Sequence, residues 1–278
     1  MKIKKVRKFD LNLIKEISDE AIEMNPLNED FEEAYTKANI LDKLVLRTNL
    51  KVYSYEDKLG MIWKENLRDD YVNLRSLYFQ DGFEEFPLNE FKSNKFYSFE
   101  TTATEGNTEL LNKIGFQISD ESIVLLKKLG KVDFIKAEDV EFKVVQNNAD
   151  IKKRAEIQNS IFKDVNRADL KVADIVNDMK QSYYIDDLSI LIMHKGVSIG
   201  YGQVIYLNKQ YLVVNFGIID GYRKKGYGRI LLNRIIATCT EKNIKDLYIR
   251  VSEKNIPAVN LYNSVGFNYY NKVIGWIR

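Results

Sequence analysis

The chain has 278 residues, 45% apolar and 12% aromatic, enough for two packed cores and too apolar for a disordered protein. A formal net charge of +2 argues against a dedicated nucleic-acid binder. One cysteine excludes an intrachain disulfide, no apolar run can span a bilayer and no export signal follows the first residues, so a cytoplasmic setting off the membrane is expected.

In chain order, residues 2–8 alternate apolar and charged side chains, which predicts a first strand with one solvated face. A turn at 57–60 leads into a strand, and runs at 71–79 and 97–116 follow, separated by an acidic stretch at 81–87. A charged segment near 130–138 marks the expected boundary between a domain at 1–137 and a domain at 138–278. Beyond it the pattern predicts a strand at 141–145, helices at 150–162 and 170–180, and a hairpin at 188–194 and 197–206. A strand at 211–219, a helix at 229–240, a strand at 247–251, a short helix at 257–264 and a terminal strand complete the chain.

The stretch from Ile218 to Gly228 is the most specific. A β-branched run stops at Asp220-Gly221, and the basic turn Tyr222-Arg223-Lys224-Lys225-Gly226-Tyr227-Gly228 follows. Its glycines let backbone N–H groups approach a ligand without an intervening Cβ. Those N–H groups, the positive helix end and Arg223 favour a phosphate or pyrophosphate. Taken alone, Arg-x-x-Gly-x-Gly also fits a plain strand-to-helix connection. Downstream, Pro257 stands near the start of the short helix, where its missing N–H costs nothing, and Gly266 stands past the end, where a left-handed cap is wanted. Tyr262 lies one turn after Ala258, on the same helical face.

Together the two segments resemble the GNAT superfamily of acyl-CoA-dependent N-acyltransferases. The first matches that family's Arg/Gln-x-x-Gly-x-Gly/Ala pyrophosphate loop. The second, Asn255, Ala258, Tyr262, Gly266 and Phe267, matches its Asn-x-x-Ala-x-x-x-Tyr-x-x-x-Gly-Phe segment. The resemblance covers residues 140–278. It implies an α/β fold of the α+β type, with a mixed, mostly antiparallel sheet flanked by helices. It also implies acetyl-CoA as co-substrate and direct acetyl transfer to a primary amine, on a small molecule or a peptide, in a ternary complex. No metal-ligand cluster is present and no metal is expected. The acceptor is not legible, and a homodimer is left open.

The first half reads as a degenerate copy of the second, which makes two tandem GNAT-like domains. Residues 71–79 parallel 211–219, an offset of 140, as from Tyr71 to Tyr211. Residues 110–116 parallel 261–267, an offset of 151, as from Gly115 to Gly266. The eleven residues by which 151 exceeds 140 are missing where the second half has its phosphate turn and helix. An acidic stretch there would repel a pyrophosphate, and Leu111 replaces Tyr262, so the N-terminal half is expected to lack the coenzyme site.

In the family the pantetheine arm pairs with the strand before the turn, which here implies Phe216, Gly217, Ile218 and Ile219. Asn215 and Gly217 in that apolar strand predict a bulge or splay, where a free N–H would polarise the thioester carbonyl. Backbone groups of Arg223, Lys224, Lys225, Gly226, Tyr227 and Gly228 are expected on the pyrophosphate, with Lys224 and Lys225 either on outer phosphates or simply solvated. Asn255 is expected either on the coenzyme or as a helix cap. Tyr262 is the expected general acid for the leaving thiolate. No general base stands out: Glu253, Asp186, Asp187 and a water relay are the options. His194 is expected at an exposed hairpin, and Cys239 as a buried apolar residue. Pocket walls are expected from the N-terminal half, 166–181, Tyr183, Tyr184 and Tyr206. The alternative function is an acyl-CoA sensor or interaction module without turnover. A longer acyl donor or an oxygen acceptor is a further variant.

Overall fold

A computed structural model describes residues 3–130, 138–163 and 168–278. A two-residue strand β1 (Lys4–Lys5) is followed by α1 (Leu11–Met24), α2 (Phe31–Lys37) and α3 (Ile40–Asn49). Then come β2 (Leu50–Tyr55), β3 (Lys58–Asn66), β4 (Tyr71–Phe79), β5 (Phe96–Thr102), α4 (Glu105–Lys113) and β6 (Gln117–Lys128). The second series is β7 (Val140–Val144), α5 (Asn148–Ile161), α6 (Val172–Met179), β8 (Tyr184–His194), β9 (Val197–Leu207) and β10 (Gln210–Ile218). It ends with α7 (Tyr227–Glu241), β11 (Asp246–Val251), α8 (Ile256–Ser264) and β12 (Asn268–Ile277). The sequence pattern locates the second series to within a few residues, whereas it does not resolve α1, α2 and α3, and the expected first strand shrinks to the pair Lys4–Lys5.

Two compact units divide the chain: Met1–Ser122 with Asn271–Arg278, and Ile123–Tyr270. The boundary expected near 130–138 falls largely on residues outside those described. In the first unit the strand order is β1-β2-β3-β4-β5-β12; in the second it is β7-β8-β9-β10-β11-β6. Each order is antiparallel except for one parallel pair, β4 with β5 and β10 with β11, so both sheets are mixed, as expected.

Local chemistry starts the helices and packing holds them. Asp10 accepts the N–H groups of Asn12 and Leu13 at the start of α1, whose Ile14, Ile17, Ser18 and Ala21 form one buried face. In the first unit that face meets Phe31, Met61 and Trp63, while α4 covers the opposite side over Tyr97, Phe99 and Phe116. In the second unit α7 and α8 bury Leu231, Leu232, Ile235 and Tyr262 against Leu247 and Ile249. Helices α5 and α6 cover the other face through Ile151, Ala155 and Ile175 over Leu191 and Tyr201. Fully burying one such aliphatic side chain contributes about 1.5–3 kcal/mol.

The two units share their order of strands but not of helices, since the first has three helices before its hairpin against two and no counterpart of α7, and the strand register corrects the sequence match by one residue. Gly60 pairs with Phe79 and Gly200 with Ile218, and each glycine leaves room for the facing side chain. The core-facing residues Val72, Leu74, Leu77 and Phe79 of β4 correspond to Tyr211, Val213, Phe216 and Ile218 of β10. That is an offset of 139, as from Val72 to Tyr211, rather than 140. A slip of one residue turns a strand's side chains to the other face, and burial decides between the registers. In the helical segment the expected offset of 151 holds, since Thr104 caps α4 as Asn255 caps α8, and Gly115 and Gly266 are both left-handed.

Candidate acyl-coenzyme A site

Strands β10 and β11 are parallel only over Tyr211–Leu247, Leu212–Tyr248 and Val213–Ile249. Past Val213 the β10 edge facing β11 has no strand partner among the described residues. On its other edge β10 changes register between Val214 and Gly217, so the irregularity expected around Asn215 is present. Asn215 takes a left-handed φ of 53°, which an asparagine tolerates better than most residues. A Cβ on Gly217 would lie 2.4 Å from Ile161 Cγ2, so only glycine lets α5 pack this closely.

Between β10 and α7 runs the basic turn. Lys224 and Gly226 are left-handed, at φ 60° and 87°. Gly226 is the N-cap of α7, makes no side-chain cap, and no acidic residue stands in the first helical turn. The N–H groups of Tyr227, Gly228 and Arg229 are therefore open donors at the positive helix end, an arrangement that favours an anion. Arg223 does not point freely into this space. Its Nε donates to the Ile218 carbonyl at 2.8 Å, a terminal nitrogen donates to the Ile161 carbonyl at 3.3 Å, and it pairs with Asp220 at 2.8 Å. Its guanidinium ties the turn to the end of β10 and to α5 while leaving a positive charge beside the loop. Lys225 donates to the Gly221 carbonyl at 2.7 Å and lies 5.6 Å from the Tyr222 ring centre. Lys224 is exposed.

Tyr262 is 6% exposed on α8, its ring 6.0 Å from that of Phe216 beside the bulge. Among the described residues its hydroxyl has no hydrogen-bond partner, and burial pushes its pKa up to about 12. It is a neutral phenol throughout the physiological range, able to donate a proton. Asn255 accepts the Ala258 N–H as the N-cap of α8, which realises the capping role of the two expected. Ala258 is half-buried on that helix, packed against the core of the second unit. Cys239 is fully buried, and burial pushes its thiol up to about 12. His194 is half-buried, its ring 5.2 Å from Tyr227 and 6.1 Å from Tyr222, and so it braces the basic turn rather than standing in solvent.

Among the expected bases, Asp187 is paired with Lys242 at 2.5 Å, and Asp186 is exposed. Of the expected pocket walls, Tyr183 donates to Asp178 at 2.8 Å, Tyr184 lies against Arg154, and Tyr206 lies tilted against Tyr211 with ring centres 4.8 Å apart. Residues 166 and 167 lie outside those described.

A buried polar network, missed in the sequence, centres on Arg154 (2% exposed) and Gln203 (0% exposed). Arg154 donates to Gln158 at 2.8 Å, to Asp178 at 2.5 Å and to Gln203 Oε1 at 3.1 Å. Gln203 Oε1 also accepts from Tyr201 Oη and from Asn215 Nδ2, each at 3.2 Å. Tyr201 and Ser189 hydroxyls are 2.7 Å apart. The legible signal was Arg154 and Gln158 standing on the same helical face as Ile151 and Ala155. Among the described residues no group of three or more His, Cys, Asp or Glu could hold a metal. No helix there is long and apolar enough to cross a membrane.

A family model described as Acetyltransferase (GNAT) family matches residues 159–267. The N-alpha-acetyltransferase of Sulfurisphaera tokodaii is 35% identical over 66 residues, which are 23% of this chain and 40% of that protein. The chain spans less than two thirds of the length of the curated relatives it matches, 40% and 64% for the first two. Among solved structures, a GCN5-related N-acetyltransferase from Sphaerobacter thermophilus superposes with a TM-score of 0.73 at 12% identity, covering 99% of this chain and 95% of that one. A tandem GNAT protein from the clavulanic acid biosynthesis pathway gives 0.63 at 12% identity, covering 100% and 98%. At such identity these two show the fold alone. Over residues 159–267 the chain is thus similar to GNAT acetyltransferases.

Proposed function

We propose, with that similarity as premise, that the second unit transfers an acetyl group from acetyl-CoA to a primary amine by direct attack in a ternary complex. The pyrophosphate sits on backbone N–H groups of residues 223–228, those of Tyr227 and Gly228 being open at the helix start, with Lys224 and Lys225 toward the outer phosphates. The pantetheine arm lies along the β10 edge at Phe216, Gly217, Ile218 and Ile219. The amine nitrogen attacks the thioester carbon, whose oxygen is held by a backbone N–H of the bulge; the C–S bond then breaks and Tyr262 protonates the leaving thiolate. The amine's proton leaves through water. Holding both substrates in line is the largest contribution such a site makes.

The observation that carries this reading is the combination, among the described residues, of an unpaired β10 edge, a donor-rich helix start and a neutral, unpartnered Tyr262 hydroxyl in one unit. The acceptor is a small molecule or a peptide amine, the latter in line with the N-alpha-acetyltransferase relative. The first unit is a copy without coenzyme binding. Where α7 stands in the second unit it has only a 3-10 turn at Leu88–Glu90, and Phe83 and Phe86 pack on Phe79.

Calorimetric titration with acetyl-CoA tests this. One site per chain is expected, abolished by Arg223→Glu, which reverses the loop charge and strips the Ile218 and Ile161 carbonyls of their donor. Absence of binding at millimolar coenzyme refutes the reading, and two sites per chain refute the silent first unit. The lack of a carboxylate on β10, with Asp187 already paired, favours a second reading, a coenzyme-binding module without turnover. Slow release of free CoA that Tyr262→Phe leaves unchanged would establish that reading.

A further inference from the structure

Gln203 is an expensive residue in its place. Its side-chain oxygen takes three donors, from Arg154, Tyr201 and Asn215, while its buried Nε2 has no hydrogen-bond partner among the described residues. The fold does not require this. In the first unit the same position, three residues along the strand from the Gly60 that matches Gly200, holds Trp63. Trp63 is 1% exposed and packs edge-on against Phe31, and Met61 stands where the second unit has Tyr201. The same position thus accommodates an aromatic ring, with the Arg75 guanidinium 4.6 Å from its centre, in place of a buried amide bonded to an arginine. What the polar network grips is Asn215, the left-handed residue inside the β10 register change.

We infer that Arg154 and Gln203 are positioning residues that hold the β10 bulge, through Asn215, in the conformation that aims its backbone donor at the acyl carbonyl. This rests on the acyltransferase reading above. Arg154 is anchored by Asp178 and Gln158, and so fixes the Gln203 amide; Gln203 in turn fixes Asn215 against the rotation that would let the strand relax into regular pairing. None of the three side chains takes part in proton transfer. They set where the oxyanion donor sits before substrate arrives, and such pre-organisation is what makes the donor effective.

Isotope-edited infrared spectroscopy of acetyl-CoA carrying a 13C carbonyl, bound to the full chain, reads the polarisation directly and needs no acceptor. The wild-type complex is expected to show the carbonyl band moved to lower frequency. Gln203→Leu is expected to retain coenzyme binding by calorimetry and lose that shift, while Gln203→Glu, which keeps an oxygen for Asn215, retains it. A full shift in Gln203→Leu overturns this inference and leaves the acyltransferase reading standing, as does a wild-type complex with no shift. Failure of the wild type to bind acetyl-CoA overturns both. Should Gln203→Leu not fold, Asn215→Ala gives the same decision at a half-buried position: loss of the shift supports the lock and retention refutes it.

Discussion

At the level of single residues, burial does most of the chemistry. Tyr262 is held neutral because an ionised phenol would be desolvated among Phe216 and Phe267, not because another group bonds it. Tyr262→Phe is therefore expected to leave acetyl-CoA affinity unchanged and to lower transfer about 100-fold or more, the usual weight of a general acid, in a single-turnover assay. The same shift predicts alkaline sensitivity. Below about pH 10 a phenol holds its proton in the folded and unfolded chain alike, and the burial advantage is complete. Between pH 10 and about 12 the unfolded chain gives up a proton that folded Tyr262 keeps, so stability falls as pH rises, by about 1.4 kcal/mol per unit for that group. Tyr201, fully buried and also pushed upward by burial, acts in the same direction. Urea midpoints measured from pH 8 to pH 11 test the sign, and a flat profile above pH 10 would contradict it.

The elements show which local signals were legible. The pattern Asn255-Ile256-Pro257 reads as a helix start because each residue meets its own local requirement, and α8 begins there. The glycines of the basic turn were legible for the same reason, since Gly226 needs a backbone that other residues resist. Arg223 was legible as a cation but not as a tie, because its partners Ile218 and Ile161 come from β10 and from a helix far away in sequence. Gly217 is a second case in which a distant element sets the requirement. Gly217→Ala places a methyl group on Ile161 and is expected to destabilise the second unit by about 1–3 kcal/mol in chemical denaturation, with Ile161→Ala in the same chain relieving part of the loss.

For the molecule as a whole, the division into units has consequences for any cut. Ile274 and Trp276 belong to the first unit's core although they end the chain, and Trp276 donates to Thr101 at 2.9 Å. Ile123 and Leu125 belong to the second unit's core although they precede residue 138. Fragments 1–137 and 138–278 are therefore each expected to lack one strand of their sheet and to unfold without a sharp transition when expressed alone. Deleting 271–278 removes Trp276, a loss of about 3–5 kcal/mol, large beside the roughly 5–15 kcal/mol that holds a domain together. Cooperative melting of the isolated fragment 1–137 would show that β12 is dispensable to the first unit.

By itself the sequence determined what depends on neighbours along the chain: the glycine turn and the capped α8. Tertiary structure decided what depends on residues brought together from afar. It set the strand register at 139 rather than 140, assigned β12 to the first unit's sheet, turned Arg223 inward and assembled Arg154, Gln203 and Asn215 into one network. The physical reason is that turn and cap preferences are properties of a few consecutive backbones, whereas register and buried hydrogen bonding are settled by which face and which partner the whole sheet supplies.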